Sequence, residues 1–380
     1  MNTAIPETQV IILAGGLGTR LYPLSVERPK ALLPVCNLSL LGRLLVQLEA
    51  AGFRQAVLTL PAAPPTVHER ARAAAPPGFS LVIVSATGPF RGQVPAVREE
   101  LAPGAEAVLV IYGDSLVSLD FGGLLRAHVN NRAKGGKATI VHHRPEDLRV
   151  AEKDGRTYHG VMSVNEQGLV TRFVEKPRVE EISPGFDVAN AAVFVCERAL
   201  LEHPAFRGAS DFSYHVFELA AKTHNVPLYG FDVGAGFRYD LGSVERFFDA
   251  NLKLLRGELP GPLPGEERQP GVWAGEGTTY EGVHITSPVL LGKGVRLGRG
   301  TRVGPDAVIG DRCEVGDGAT LRRAVLLENC RVGGGLCLDT CVLGPSVLLA
   351  KDVRLPPYTV LGAYAVAGAD NWPNWAESQK

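Results

Sequence analysis

Short apolar runs and amphipathic stretches alternate along the first 130 residues. Residues 10–13 (Val-Ile-Ile-Leu) form an unbroken apolar run, the mark of a buried strand. Residues 40–51 carry apolar side chains at helical spacing and stop at Gly52. The pattern then predicts a strand over 55–60, a helix over 67–75, a strand over 81–84, a helix over 97–101 and a strand over 107–112. Strands alternating with helices predict an α/β fold with a doubly wound, mostly parallel sheet. A second lobe follows over 137–200, with a strand at 138–143 and a hairpin of 160–164 with 170–174, turning at Asn165-Glu166-Gln167-Gly168. Next come a helix over 212–221, a strand over 227–231 and a helix over 244–255 that Ser243 caps.

The pattern lapses over 257–272, where Pro and Gly dominate, and we read that stretch as a linker between domains at 1–256 and 273–380. Beyond it the period changes to six. Aliphatic residues recur at Leu291, Leu297, Val303, Ile309, Val315, Leu321 and Leu327, and glycine follows the first five. Four residues after each aliphatic the side chain is mostly small: Val295, Thr301, Ala307, Cys313, Ala319 and Val325. Six fits no helix; it fits a coil of short strands in which stacked turns bury one continuous core. Gly333-Gly334-Gly335 reads as the break in this period, with a less regular coil resuming at Val342. Trp372 and Trp375 in the tail are expected to pack on a neighbour.

Composition narrows the function. A chain of 380 residues has room for two cores, and a net charge of −1 gives no basic surface for nucleic acid. No apolar run is long enough to span a bilayer, and the N-terminus lacks a signal-peptide pattern. Six cysteines without a C-x-x-C pair point to reduced thiols in the cytoplasm. The four at 313, 330, 337 and 341 read as small apolar core residues.

The chemistry concentrates after the first strand. Ala14-Gly15-Gly16-Leu17-Gly18-Thr19-Arg20 lets backbone N–H groups cradle a phosphate, and Arg20 and Lys30 add cations. The spacing is neither a P-loop nor a dinucleotide fingerprint. Asp114 ends an apolar strand. Taken alone it reads as a turn cap, but beside a phosphate cradle it suits Mg²⁺, which prefers one or two carboxylates plus phosphate oxygens. His142 and His143, adjacent on a strand, point to opposite faces and make no metal site.

The string from Gly15 through Arg20, Leu21, Pro23, Leu24, Arg28, Pro29, Lys30 and Leu32-Leu33-Pro34 closely resembles the pyrophosphorylase signature of the sugar-1-phosphate nucleotidylyltransferases. Phe173-Val174-Glu175-Lys176-Pro177 is similar to the second signature of that family, and Asp240-Leu241-Gly242-Ser243 to its third. The repeat resembles a hexapeptide left-handed β-helix. The resemblance implies a Rossmann-like nucleotidyltransferase domain, a nucleoside triphosphate and a sugar 1-phosphate as substrates, and Mg²⁺ as cofactor. It implies nucleotide contacts at Leu13, Ala14, Gly15, Gly16, Gly18 and Gly92, and catalytic roles for Arg20, Lys30 and Lys176. Gly160, Glu175, Lys176 and Asn190 would meet the sugar phosphate, and Asp114 and Asp240 would hold the metal. The layout is similar to mannose-1-phosphate guanylyltransferases and glucose-1-phosphate thymidylyltransferases, with a β-helix that pairs subunits into a homo-oligomer.

Some positions depart from the family. Arg91-Gly92-Gln93-Val94-Pro95-Ala96 replaces the loop that meets the base, with a proline that removes a donor. Ala192 replaces a glycine two residues after Asn190, and Phe237 stands for the Trp of the third signature. Two other readings stay open: a non-catalytic paralogue that binds nucleotide sugars beside an active subunit, and a bifunctional enzyme using the β-helix for acyl transfer, for which His284, just before the regular repeat, would be the base.

Overall fold

The computed structural model describes residues 7–16, 18–85, 91–145, 147–150, 154–223, 226–351 and 353–368. Leu17, in the glycine loop, and Trp372 and Trp375 lie outside the described residues. The chain forms two compact units, one of residues 1–16 and 41–238, the other of 17–40 and 239–380. No helix among the described residues is long and apolar enough to cross a membrane.

The first unit is built on a nine-stranded sheet. Its strands are β1 (Thr8–Leu13), β2 (Gln55–Leu60), β3 (Ser80–Ser85), β4 (Ala107–Tyr112), β5 (Ala138–His143), β6 (Gly160–Val164), β7 (Val170–Glu175), β8 (Val188–Glu197) and β9 (Leu228–Asp232). Helices α1 (Leu40–Ala50), α2 (Pro65–Ala73), α3 (Gln93–Glu100) and α4 (Phe121–Ala133) connect the early strands. The order is β7-β6-β8-β4-β1-β2-β3, with β5 on β8 and β9 on β5. The pairs β3-β2-β1-β4 are all parallel, as the alternating pattern predicts. Their strands read as continuous apolar runs because such a sheet is covered on both faces; Val108, Leu109, Val110 and Ile111 have no exposed surface. The second lobe is antiparallel around β8, which pairs with β4, β5 and β6. The β6–β7 hairpin turns at Asn165, whose N–H donates to Leu169 O at 3.0 Å.

Two sequence readings change here. The segment expected as a loop at 91–96 is the start of α3, and Pro95 lies in its first turn, where its missing N–H has no helical partner to lose. The pattern missed α4, because Gly122 and Gly123 weaken helix propensity; Asp120 supplies the start signal by accepting from Gly123 N at 2.7 Å.

In the second unit the chain visits three parallel ladders in strict rotation. One runs Val289↔Ala307↔Ala324↔Cys341, the next Arg296↔Glu314↔Arg331↔Leu348↔Val366, the third His284↔Arg302↔Thr320↔Cys337. Their inward residues share a core in which Val295, Val303, Ala307, Ile309, Cys313, Ala319, Leu321, Ala324 and Leu326 are fully buried. Glycine is required at the corners because the next rung crosses them: a Cβ on Gly310 would lie 2.6 Å from Glu328 N.

The period slips earlier than the glycine run suggests. Ile309 pairs with Leu326, not Leu327, and Ala307 with Ala324, not Val325. One residue is lost in the corner Leu321-Arg322-Arg323-Ala324, where Arg323 takes φ 46°. Gly333 follows Val332, the partner of Val315, just as Gly316 follows Val315, so the run keeps the register. Cys313, Cys330 and Cys341 are buried as expected, but Cys337 is exposed: it occupies the outward position of its strand beside the inward Leu338. Part of the expected linker is ordered, since Glu266–Gln269 pairs antiparallel with Val272–Ala274.

A helix, α5 (Val244–Leu255), belongs to this unit. The Ser243 hydroxyl accepts from Arg246 N at 3.3 Å, the predicted cap.

Candidate active site

In the first unit, β1 and β4 run in register from Thr8↔Ala107 to Leu13↔Tyr112. The strand order reverses direction between them, and ligands of such sheets bind outside the carboxyl ends at that point. Two loops leave side by side there. Ala14 N donates to Thr59 O at 3.0 Å and opens the Gly15-Gly16 loop, and Gly113 N donates to Leu13 O at 2.9 Å just before Asp114. Leu13 and Ala14 are buried under this edge. A Cβ on Gly113 would sit 2.9 Å from Ile12 Cγ2, whereas one on Gly16 would meet nothing within 4 Å, so space remains open over the glycine loop. The Ser115 hydroxyl donates to Asp114 Oδ1 at 3.3 Å.

Gly92 precedes α3 at φ 112°, and a Cβ there would fall 2.2 Å from Ser210 O. Close approach to that carbonyl demands glycine at this position. The neighbouring Gln93 Oε1 accepts from Tyr112 Oη at 2.6 Å. Burial, with Asp211, Glu175 and Asp114 nearby, pushes the Tyr112 hydroxyl well up, so it stays a neutral donor.

A second group gathers where β6, β7 and β8 meet. Glu175 and Gly160 are cross-strand partners. A Cβ on Gly160 would lie 2.4 Å from Glu175 Oε2 and 3.5 Å from Asn190 Cβ, so the three expected sugar-pocket residues converge on one spot. Asn190 Nδ2 donates to Ser213 Oγ at 3.4 Å. Ser213 opens a π-helical turn, Ser213–Phe217, an element often found at functional sites. Glu175 N donates to Glu218 Oε2 at 3.2 Å. The Glu175 residue keeps some exposed surface, but protein atoms crowd its carboxylate. Burial, with Asp211 adding repulsion, pushes its carboxyl up to about 7 against the pull of Lys176 and Ser213.

Lys176 stands at φ 44°, uncommon for a side-chain-bearing residue. Its peptide groups are pinned on both sides: its N–H donates to His159 O at 3.1 Å and its carbonyl accepts from Arg156 Nη1 at 3.0 Å. Strain held in this way is typical of residues that must present a side chain in one direction. Ala192 takes φ 57°, a backbone state that glycine adopts without strain, and its N–H donates to Asn190 Oδ1 at 2.9 Å. His143 packs edge-on against His159, and burial, then Arg238, pushes it down to about 4, so it is neutral.

The second unit carries the other charged group. Arg20 is the middle residue of a 3-10 turn, Thr19–Leu21, and is exposed, while Lys30 opens another, Lys30–Leu32, and is buried. Lys30 Nζ lies 3.1 Å from Asp240 Oδ1. A Cβ on Gly242 would fall 2.6 Å from Asp240 Oδ2 and 3.6 Å from Arg20 Nη2, so both cations reach the same carboxylate neighbourhood. Gly18, at φ 61°, accepts from Ser25 Oγ at 2.7 Å through its carbonyl.

Sequence reasoning missed Tyr112, Asp211 and Ser213. Tyr112 carried a signal, as the polar end of an apolar strand; Asp211 just precedes, and Ser213 lies within, the helix predicted over 212–221, and nothing in that pattern marks them as facing Glu175.

A family model described as nucleotidyl transferase matches residues 9–257, and one described as GMPPB C-terminal domain matches residues 285–370. A Drosophila melanogaster protein named mannose-1-phosphate guanylyltransferase catalytic subunit beta is 30% identical over 358 residues, covering 93% of this chain and 88% of its own. A Mycobacterium tuberculosis mannose-1-phosphate guanylyltransferase is 27% identical, over 76% of this chain and 74% of its own. The Vibrio cholerae glucose-1-phosphate adenylyltransferase 2 is 25% identical, over 94% and 92%. The chain belongs to the nucleotidyl transferase family and is a sugar-1-phosphate nucleotidylyltransferase, an enzyme that joins a nucleotidyl group from a nucleoside triphosphate to a sugar 1-phosphate and releases pyrophosphate.

Proposed function

We propose that the enzyme joins the guanylyl group of GTP to mannose 1-phosphate. The observation that carries the sugar half is the convergence of Gly160, Glu175 and Asn190 beside Lys176. The match of residues 285–370 to a GMPPB C-terminal domain, and the names of the Drosophila and Mycobacterium relatives, support the guanylyl and mannosyl choice.

In this reading Glu175 and Asn190 take sugar hydroxyls and Lys176 holds the sugar phosphate. A phosphate oxygen of the sugar 1-phosphate attacks the α-phosphorus, and the bond from the α-phosphorus to the bridging oxygen breaks as pyrophosphate departs. The nucleophile is already an anion at neutral pH, so catalysis is positioning and charge neutralisation. The loop of Leu13, Ala14, Gly15, Gly16 and Gly18, with Gly92, would cradle the nucleotide, and Arg20 and Lys30 would offset charge on the triphosphate and the leaving pyrophosphate. Asp114 and Asp240 would hold Mg²⁺, which when bound neutralises phosphate oxygens. The donors fit: both are carboxylates, and Mg²⁺ takes one or two carboxylates with its other ligands from phosphate and water.

The rotating ladders support reading residues 273–380 as a left-handed parallel β-helix, whose end strands would pair subunits in a homo-oligomer. A cytoplasmic location suits six free thiols.

The test is pyrophosphate release with Mg²⁺ across four nucleotides and several sugar 1-phosphates, with Asp114→Asn as control. Turnover with GTP and mannose 1-phosphate above every other pair, lost in the control, supports the reading. Preference for dTTP or UTP with glucose 1-phosphate overturns it.

A further inference from the structure

The segment that carries Arg20 and Lys30 has little structure of its own. Between Gly18 and Leu40 it makes two three-residue turns and a two-residue strand pair, Pro34–Val35 with Leu38–Ser39. Hydrogen bonds that local do not fix where two cationic side chains point. The position must come from outside the segment, and the second unit supplies it from its C-terminal part.

Three attachments are visible. Asn37 Nδ2 donates to Ile309 O at 2.9 Å, on a ladder strand. Cys36 N donates to the Asn251 side chain on α5 at 2.7 Å, and Asn251 is completely buried. The third is charged. The Arg28 guanidinium, 6% exposed, pairs with the carboxylate of Glu328, 22% exposed, in the corner that follows the strand Thr320–Leu326. Arg28 Nε is also buried and finds no acceptor, so Glu328 is the anchor of this head group. Pro23 packs on the same region: a Cβ on Gly362 would lie 2.9 Å from Pro23 Cβ.

The place of Arg28 matters. It lies between the two cations, and one residue with a fixed φ, Pro29, separates it from Lys30. A shift of the Arg28 head group is therefore passed directly to the turn that aims Lys30 at Asp240.

We propose that Glu328 is a positioning residue for nucleotidyl transfer, acting through Arg28 to fix the segment that bears Arg20 and Lys30. This rests on the reading that those cations serve the triphosphate. A surface ion pair would contribute little to position, but a pair this deep has few alternative arrangements, because parting it strands a guanidinium in a dry site. The C-terminal ladders then take part in the reaction without touching substrate.

The experiment uses the full chain and compares Glu328→Gln, Glu328→Asp, Arg28→Lys and the exchange R28E/E328R, with Arg20→Ala and Lys30→Met as controls. Initial rates are measured against each substrate, with the folded fraction checked by thermal unfolding. Misplacing the cations should lower kcat/KM for the nucleotide by about 10- to 100-fold in Glu328→Gln while KM for the sugar 1-phosphate stays within about twofold. Glu328→Asp and the exchange should recover part of that loss. Unchanged rates in Glu328→Gln, or a KM for the sugar 1-phosphate that rises as much as the KM for the nucleotide, overturn the proposal. If Glu328→Gln fails to fold, Arg28→Lys decides by the same split, since it keeps the charge and removes the planar fork. If Arg20→Ala and Lys30→Met are both fully active, the underlying reading has failed instead; if they are inactive and Glu328→Gln is not, only the positioning role has failed.

Discussion

Replacing Glu175 with glutamine should stabilise the fold and damage the reaction. The carboxyl is pushed from an ordinary 4.5 to about 7, chiefly by burial. Between those values the folded protein binds a proton that the unfolded chain does not, so stability is greatest below 4.5 and falls as pH rises through 7. The full difference is at most about 3 kcal/mol, less whatever the exposed edge of the residue admits in hydration. Glutamine keeps the shape and never ionises. Urea unfolding of both proteins at pH 5 and pH 8 separates the effects. At pH 8 the variant should be more stable by roughly 2–3 kcal/mol, and at pH 5 the gap should close to below about 1 kcal/mol. Activity at pH 8 should fall, because a carboxylate accepts from two sugar hydroxyls and an amide oxygen accepts more weakly. A gap that is the same at both pH values would show that burial of this charge is not what the fold tolerates for function.

Three other outcomes are expected. Gly160→Ala puts a methyl 2.4 Å from Glu175 Oε2, the movable end of a side chain; KM for the sugar 1-phosphate should rise by about tenfold with little change in Tm. In a double-mutant cycle of Lys30→Met with Asp240→Asn, the double change should destabilise by less than the sum of the single changes, with a coupling of roughly 0.5–3 kcal/mol, because the two side chains form one ion pair; additive losses would show the pair to be uncoupled. A disulfide-exchange dye should titrate one fast thiol per folded chain, and Cys337→Ser should remove it, since the other five cysteines are buried.

Local physics made much of this legible. Strands at 55–60, 107–112 and 138–143 coincide with β2, β4 and β5, because a run buried on both faces must be apolar throughout. That Gly160, Glu175 and Asn190 come together was expected from the resemblance, and Gly160 shows the local cause: a side chain there would occupy the place of the Glu175 carboxylate. Ala192 shows the opposite case. Its φ of 57° is a backbone requirement that glycine meets without strain, yet alanine adopts it at about 1–2 kcal/mol when the Asn190 side chain holds the turn. The slip between Leu321 and Ala324 was hidden because Leu326 and Leu327 are both aliphatic, so a six-residue count continues through the wrong one. Ser213 and Asp211 were hidden because a helix start does not announce which strand it will face.

The stretch 257–272 marks where apolar periodicity lapses, but cohesion follows other lines. Residues 17–40, α5 and the ladders form one compact unit. Arg256, just past α5, donates twice to Asp306 at 2.8 and 2.7 Å, and α5 itself packs on the strands Ala307–Ile309 and Thr320–Leu326. Asn251 on the same helix holds Cys36. A helix with one face on a ladder and another on the signature segment couples the two more tightly than chain order does. The segment that bears the cations of the first signature is thus held by residues some 300 positions later, as in the pair of Arg28 with Glu328. In the positioning role proposed for Glu328, a corner of the repeat is tied to where Lys30 points, whereas the outward Cys337 is not.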